Sequence, residues 1–290
     1  MNTRLSFLGS YLGRKSSQVI LEKILVYVLL VTMGILFIFP LFWMAVTSLK
    51  DEAQLYIPEP KIIPNPLVWA NYKEAWEKIP FALYMRNTTI ITLSSVFLAV
   101  LSTSLVAFGF ARINFKGRNF LFSLLLASMI LPGMVQIIPR YFIWNWLHFL
   151  DTWIPLILPR ALAGGFFVFL MRQFYRTLPM ELDDAAAIDG CSYFRIWWNI
   201  MLPLTKPALT VVALFTFMQV WNDFFDPLIY LTTDSKKTLA LGLRFFQGQF
   251  GADVHLLMAA STLVLLPCLV IFLFAQKYFI KGIAMSGIKG

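Results

Sequence analysis

The sequence has 290 residues, 59% hydrophobic and only 13% charged, with a mean hydropathy of +0.73. A soluble domain is about half apolar and about a quarter charged, so that class is excluded and the chain reads as an integral membrane protein. The net charge of +9 does not point to nucleic acid, because Lys and Arg fall in the breaks between apolar blocks and form no long basic cluster.

Apolar blocks follow in chain order at 24–49, 88–109, 120–138, 154–171, 208–231 and 256–274. Each is near the ~20 residues that cross a ~30 Å hydrocarbon layer as a helix. Lipid offers no partners to backbone polar groups, so each block is expected to be helical. The predicted fold class is therefore all-α, an integral membrane protein with six transmembrane helices.

The first block follows Arg4, Arg14, Lys15 and Lys23. It is longer than the ~7–15 residue core of a cleavable signal and no small-residue cleavage site follows it, so it reads as a retained anchor. The next loop carries Pro58, Pro60, Pro64 and Pro66, and its second half (68–79) predicts a short surface helix. Trp69, Tyr72 and Trp76 there suit the membrane interface better than substrate contact. Pro132, Gly133, Pro155 and Pro159 mark kinks or broken ends in the third and fourth blocks. Gly164 and Gly165 read as a close-packing point inside a membrane helix.

Charge sets the orientation. With a cytoplasmic N-terminus, the inner segments 1–23, 110–119, 172–207 and 275–290 hold 14 Lys/Arg, and the outer segments 50–87, 139–153 and 232–255 hold 9. The excess places both termini in the cytoplasm. Cys191 and Cys268 lie far apart and read as free thiols, without disulfide or metal spacing. His148 and His255 read as outer surface residues rather than ligands or bases. No residue set carries a metal or a catalytic centre: there is no H-E-x-x-H, no G-x-S-x-G and no phosphate-binding G-x-x-x-x-G-K-[ST].

The inner loop from Thr177 to Leu209 is the most informative segment. Pro179 suits the first turn of a helix. Glu181, Asp183 and Asp184 follow near the positive end of its dipole. Ala185, Ala186 and Ala187 keep the helix strong and slim, so another surface can approach closely. Gly190 ends it, most simply with a left-handed turn. A second amphipathic stretch from Tyr193 to Met201 brings Phe194, Trp197 and Trp198 to the membrane edge. Pro203 and Pro207 break it before the fifth block.

This loop resembles the EAA motif of bacterial ABC-importer permeases: Glu-Ala-Ala, then Gly four residues on, then I-x-L-P. The matching residues are Asp184, Ala185 and Ala186, then Gly190, then Ile200 to Pro203, with Asp184 standing where Glu is usual. The resemblance extends over nearly the whole chain. Trp221 to Thr232, Thr238 to Gly251 and Gln276 to Gly290 are similar to carbohydrate-uptake permeases of the MalG-like family. The family resemblance implies a type I ABC importer permease fold. It also implies a division into 1–87 (N-terminus, first helix and outer loop), 88–275 (core transmembrane domain) and 276–290 (cytoplasmic tail). A coupling helix at 179–190 would dock on an ATPase, with Glu181, Asp184, Ala185, Ala186, Asp189, Gly190, Leu202 and Pro203 forming or supporting the contact. The expected partners are a second homologous permease in a heterodimer, two ATPase subunits and an extracytoplasmic sugar-binding protein. This chain is expected to bind no cofactor and to be no enzyme; ATP and Mg are used by the ATPases. The implied setting is the bacterial cytoplasmic membrane, and the implied cargo is a sugar or oligosaccharide. A polyol or glycerol phosphate importer shares the architecture.

The tail resembles one that reaches between the ATPases, where Lys289 would make an ionic contact; the alternative is a solvated terminus. Intramembrane charge is costly and marks candidate sites at Arg160, Asn222, Asp223 and Asp226. With Trp221, Phe224 and Phe225 these either line the translocation pathway, where hydroxyls need partners and rings stack on sugars, or serve the interface with the partner permease. An outer, hydrated position for Asp223 and Asp226 is a third reading. An ion-coupled secondary transporter is the remaining rival, and it leaves the motif at 184–203 unexplained.

Overall fold

The computed structural model describes residues 3–57, 62–248 and 251–286, with side chains for 19–57, 62–247 and 253–276. The described chain is almost entirely helical. In order it forms α1 (Thr3–Thr47), α2 (Glu52–Leu55), α3 (Ala70–Lys78), α4 (Phe81–Arg112), α5 (Arg118–Ser128), α6 (Ile137–Trp146), α7 (Ile154–Ala161) and α8 (Gly165–Thr177). There follow α9 (Glu181–Ile188), α10 (Tyr193–Ile196), α11 (Leu202–Leu204), α12 (Lys206–Trp221), α13 (Phe225–Tyr230), α14 (Leu239–Gly242) and α15 (Val254–Ser286). A short antiparallel pairing of Gln247–Gly248 with Gly251–Ala252 precedes α15.

Four stretches are long and apolar enough to cross a membrane: Val19–Thr47, Phe81–Arg112, Ile154–Thr177 and Val254–Gln276. Two bent pairs bring the number to six, Arg118–Ser128 with Gly133–Trp146 (95°) and Tyr193–Leu204 with Lys206–Trp221 (82°). The described residues thus hold four such helices, and up to six if each bent pair is one span; the second pair takes in Tyr193–Leu204, which precedes the fifth apolar block.

The chain divides into two compact units, residues 1–73 with 253–262 and residues 74–252 with 263–290. In the first, the surface helix predicted over 68–79 begins as α3. Asn71 Nδ2 donates to Ser48 O at 2.9 Å and Lys50 O at 2.7 Å, and the Tyr72 hydroxyl bonds the Ser48 hydroxyl at 2.7 Å. These bonds lock the loop after α1. His255 is half-buried rather than at the surface, and its Nδ1 has no hydrogen-bond partner among the described residues.

In the second unit α4 is the central post, packed against α7, α8 and α12. One apolar cluster joins Ala107 and Phe108 of α4, Val168, Met171 and Tyr175 of α8, Ala186 of α9, Ile196, Trp197 and Met201, and Ala208 and Val212 of α12. Trp197 is only 3% exposed. It packs against the chain's own core, and a π turn follows at Trp197–Met201. Phe194 and Trp198, one helical turn apart, share the exposed face, while Trp197 beside Ile196 faces inward.

The breaks differ in detail from the sequence reading. Pro132 lacks the N–H that would continue α5, and a 3₁₀ turn at Gly133–Gln136 follows, as expected. Pro155 lies in the first turn of α7 and Pro159 within it; the break comes later, at 162–164, where Ala163 takes φ 51°. Gly164 is therefore the cap of α8, not a helix-interior residue. Gly165 is the close-packing point: a Cβ there would lie 2.9 Å from Met129 Cγ and 3.0 Å from Leu125 O. The fifth block is not one helix through 231. It ends at Trp221 and restarts at Phe225, because Asn222 Nδ2 turns back to Met218 O (2.8 Å) and Asp223 Oδ1 accepts the Asp226 N–H (3.2 Å). Before it, Pro203 sits in the first turn of α11 and the bend falls at Thr205, ahead of Pro207.

Candidate functional site

The loop between α8 and α12 folds as a short helix, a sharp turn and a second short helix. α9 starts at Glu181, two residues after Pro179, with Glu181, Asp183 and Asp184 in its first turn. It ends in a Schellman turn. Gly190 takes φ 75°, its N–H donates to Ala187 O at 3.0 Å, and the Cys191 N–H donates to Ala186 O at 2.9 Å. The apolar contact that accompanies such turns is present, since Ala186 and Cys191 both pack into the cluster around Tyr175.

The two faces of α9 differ. Ala186 points inward and is 4% exposed, whereas Ala185, Asp184 and Glu181 are exposed and Ile188 is 87% exposed. The alanine run is thus not one docking surface, and Ala186 belongs to the chain's own packing. Asp189 and Gly190 are exposed; Leu202 is half-buried against the same cluster and Pro203 is exposed. Lys289 lies outside the described residues. Cys191 is half-buried and Cys268 buried, and both are free thiols.

A residue that sequence reasoning missed holds α9 in place. Arg112, the last residue of α4, has a side chain only 2% exposed, and its Nη1 lies 3.3 Å from Asp183 Oδ2. Nη2 donates to Leu178 O at 2.9 Å, and Nη1 also meets Met180 Sδ. Burial pushes the Asp183 carboxyl above its usual value; the Arg112 charge opposes this and the Asp184 charge adds to it. The motif acid Asp184 is the exposed neighbour. Nearby, Arg172 Nε donates to Phe110 O at 3.2 Å with its guanidinium 4.1 Å from the Phe122 ring centre.

The second candidate site gathers at the helix breaks. A cavity of about 430 Å³ is lined by Gly133, Met134, Ile137 and Arg140 from the third span, Arg160 from α7, Gln219 from α12, and Asp223, Phe225 and Asp226 beyond it. Arg160 Nη1 donates to Gln219 Oε1 at 3.2 Å. The structure thus brings Arg160, Asp223 and Asp226 together and adds Arg140 and Gln219. Trp221 is excluded from this wall. It is 3% exposed, its Nε1 donates to Val264 O at 3.1 Å, and its ring stacks on Phe217. Asn222 is exposed and spends its side-chain amide on the turn. A separate cavity of about 490 Å³, less open than the one beside Arg160, is lined in part by Lys237, Arg244 and Phe245.

Asp151 organises the segment after α13. It accepts the N–H groups of Thr232 and Thr233 (3.0 Å each), the Thr233 hydroxyl (2.6 Å) and Lys236 Nζ (2.8 Å). Asn87 Nδ2 donates to Ser235 O and Lys237 O at 2.9 Å each, which ties the same segment to α4.

Interrupted spans that meet beside a group of charged and polar side chains, with a short helix-turn-helix in one connecting loop, fit a membrane transport subunit. Non-helical backbone in such spans is tolerated where protein buries it or water reaches it. Residues 95–285 match the family described as "Binding-protein-dependent transport system inner membrane component". The chain belongs to this family of ABC-importer permeases, which are transport components that work with ATPase subunits and a substrate-binding protein. It is 33% identical to the arabinooligosaccharides transport system permease protein AraQ of Bacillus subtilis over 281 residues, covering 96% of this chain and 99% of the relative. It is 32% identical to the sn-glycerol-3-phosphate transport system permease protein UgpE of Yersinia pestis bv. Antiqua over 272 residues, covering 90% and 95%. The fold matches a crystal structure of a bacterial ABC transporter involved in import of the acidic polysaccharide alginate, with TM-score 0.80 and 19% identity over 89% of this chain and 96% of that chain.

Proposed function

We propose that this permease forms half of the translocation pathway for a sugar or oligosaccharide, in a heterodimer with a second homologous permease in a bacterial cytoplasmic membrane. Two ATPases drive it, with both termini on their side, and α9 is the helix they move. The observation that carries the coupling role is the two-faced build of α9. Its inner face is packed into the cluster that also holds α4, α8 and α12, and its outer face offers Ile188, Ala185 and the acidic residues to a partner. A helix so anchored passes a push to the spans, whereas a free loop absorbs it. The carbohydrate reading is supported by the 33% identity to the arabinooligosaccharide permease.

The polar cavity beside Arg160 is our candidate for this chain's share of the pathway. Asp223, Asp226 and Gln219 present acceptors, and Arg140 and Arg160 present donors, the complement that a polyhydroxylated solute needs. Those two arginines also favour a second reading, a phosphorylated or acidic small solute, in keeping with the 32% identity to the glycerol-3-phosphate permease. The assembled transporter in proteoliposomes, loaded with ATP and given its binding protein, separates the two by uptake of labelled neutral oligosaccharides or glycerol phosphate. Uptake that persists with an uncoupler and stops without ATP is expected. Uptake by the permease pair alone, with no ATPase present, would overturn the coupled mechanism.

A further inference from the structure

The geometry points to Arg112 as the residue that ties α9 to α4, so that a displacement of α9 reaches a membrane span directly rather than through the intervening chain. This rests on the reading of α9 as the ATPase contact.

A buried guanidinium is costly unless its donors are met. Here the two terminal nitrogens are met by three consecutive parts of one loop, while Nε has no hydrogen-bond partner among the described residues. Leu178, the cap of α8, gives its carbonyl oxygen at 2.9 Å; Met180, the cap of α9, gives its sulfur; and Asp183, in the first turn of α9, gives a carboxylate at 3.3 Å. The planar fork of arginine can serve divergent acceptors together, whereas the point charge of lysine cannot. The Leu178 carbonyl closes the negative end of α8, and Asp183 sits at the positive end of α9, so each contact also has the favourable sign. Asp183 Oδ2 has no hydrogen-bond partner among the described residues, so the charge of Arg112 is what offsets its burial. α9 is also held by apolar packing, through the methyl of Ala186, with Cys191 packed into the same cluster just past the helix end. Such contacts resist separation but permit sliding, and the ion pair fixes the register. At its other side Arg112 ends the helix that packs on α7, α8 and α12, so one residue connects α9 to α4 and to the two spans packed on it. Arg112 is a positioning residue: it touches neither nucleotide nor solute.

The test uses the complete transporter in proteoliposomes and measures uptake and ATP hydrolysis together. Arg112→Ala and Asp183→Asn are expected to keep ATP hydrolysis within about threefold of wild type while uptake per ATP falls at least tenfold. Arg112→Lys should recover part of that ratio, and the exchange Arg112→Asp with Asp183→Arg should recover more than either single reversal. Should Arg112→Ala fail to assemble, Asp183→Asn, which is nearly isosteric, carries the test. An unchanged ratio of uptake to hydrolysis in Asp183→Asn overturns the proposal, as does an equal loss of both activities in a fully assembled variant. Ile188→Asp is the control for the underlying reading. If it leaves uptake intact, α9 is not the ATPase contact; if it abolishes uptake while the Asp183→Asn ratio is normal, only the role of Arg112 fails.

Discussion

Ala185 and Ala186 are adjacent and chemically identical, yet at about 100° per residue one is exposed and the other buried, which makes them a controlled pair. Ala186 is 4% exposed and packs with Cys191, Tyr175 and Trp197. Replacing it with Leu forces three extra carbons into a filled cluster, which costs about 1–3 kcal/mol. Ala185 is exposed. Leu has nearly the helix propensity of Ala, and a surface change of this kind stays within about 0.5 kcal/mol. Ala185→Leu should therefore fold and assemble as wild type but hold the ATPase surface away. Gel filtration of the purified permease pair reads the first effect, and ATP-driven uptake reads the second. The expected pattern is a lower yield and lower melting temperature for Ala186→Leu. For Ala185→Leu the yield should be normal, with uptake reduced at least tenfold, equivalent to about 1.4 kcal/mol of lost contact. Normal uptake from a normally assembled Ala185→Leu would refute the outward face as the docking surface. Instability confined to Ala185→Leu would refute the assignment of the faces.

Gly190→Ala should cost about 1–2 kcal/mol, because a Cβ at φ 75° is strained even though no atom lies within 4 Å of it. Gly190→Pro also removes the bond to Ala187 O and should abolish uptake at normal membrane levels, as immunoblotting and transport would show. Gly165→Ala should destabilise by about 1–3 kcal/mol, since its Cβ would meet the Leu125 backbone carbonyl, while Gly164→Ala, with open space around it, should be neutral in thermal melts. Asp151 has its pKa held below the ordinary 3.8, first by Lys236 and then by Thr233 and Thr232. Its stabilising contribution is therefore fully present above the ordinary carboxylate value and is lost progressively as pH falls from there through the depressed value. The melting difference between wild type and Asp151→Asn should stay constant from pH 7 to pH 4; a difference that closes between pH 5 and pH 4 contradicts the depressed pKa.

The parts of the fold that the sequence made legible are those governed by local chemistry. Apolar blocks of bilayer length, a proline that cannot continue α5, and a glycine able to turn left-handed at 190 all act within a few residues. Arg112 was not legible in the same way, because its partners Leu178 and Asp183 lie 66 or more positions away and become neighbours only after α4 and α8 pack. The run Ala185 to Ala187 carries no amphipathic signal, so its inner and outer faces could not be told apart. Ile188 was the available clue, as a large apolar residue at the end of a polar helix. The burial of Trp197 was not legible either, because Phe194, Trp197 and Trp198 are all aromatic and only tertiary packing separates them. Asn222 and Asp223 looked like pathway groups for their polarity, yet part of that polarity serves the turn that ends α12.

That turn bears on how the two candidate sites relate. α12 contributes Ala208 and Val212 to the cluster that holds α9, and Gln219 to the wall of the polar cavity. Between those positions it contains neither proline nor glycine, so its 16 residues form a rod of about 24 Å. α4 is likewise free of proline from Phe81 to Arg112. The other elements at the cavity are interrupted, the third span before Gly133 and the fourth at 162–164. On the proposed coupling role, a push at α9 would enter two unbroken helices, while the groups that face the cavity sit beside joints. Rigid elements carry displacement, and interrupted ones can change the cavity's shape without breaking helical hydrogen bonds, because those bonds are already absent at the joints. A proline placed at Leu214, midway along α12 and 8% exposed, introduces a joint where none exists. It should uncouple the cavity from α9 while leaving ATP hydrolysis intact, whereas Leu214→Ala, which thins the packing but keeps the rod, should lower stability and leave uptake per ATP unchanged.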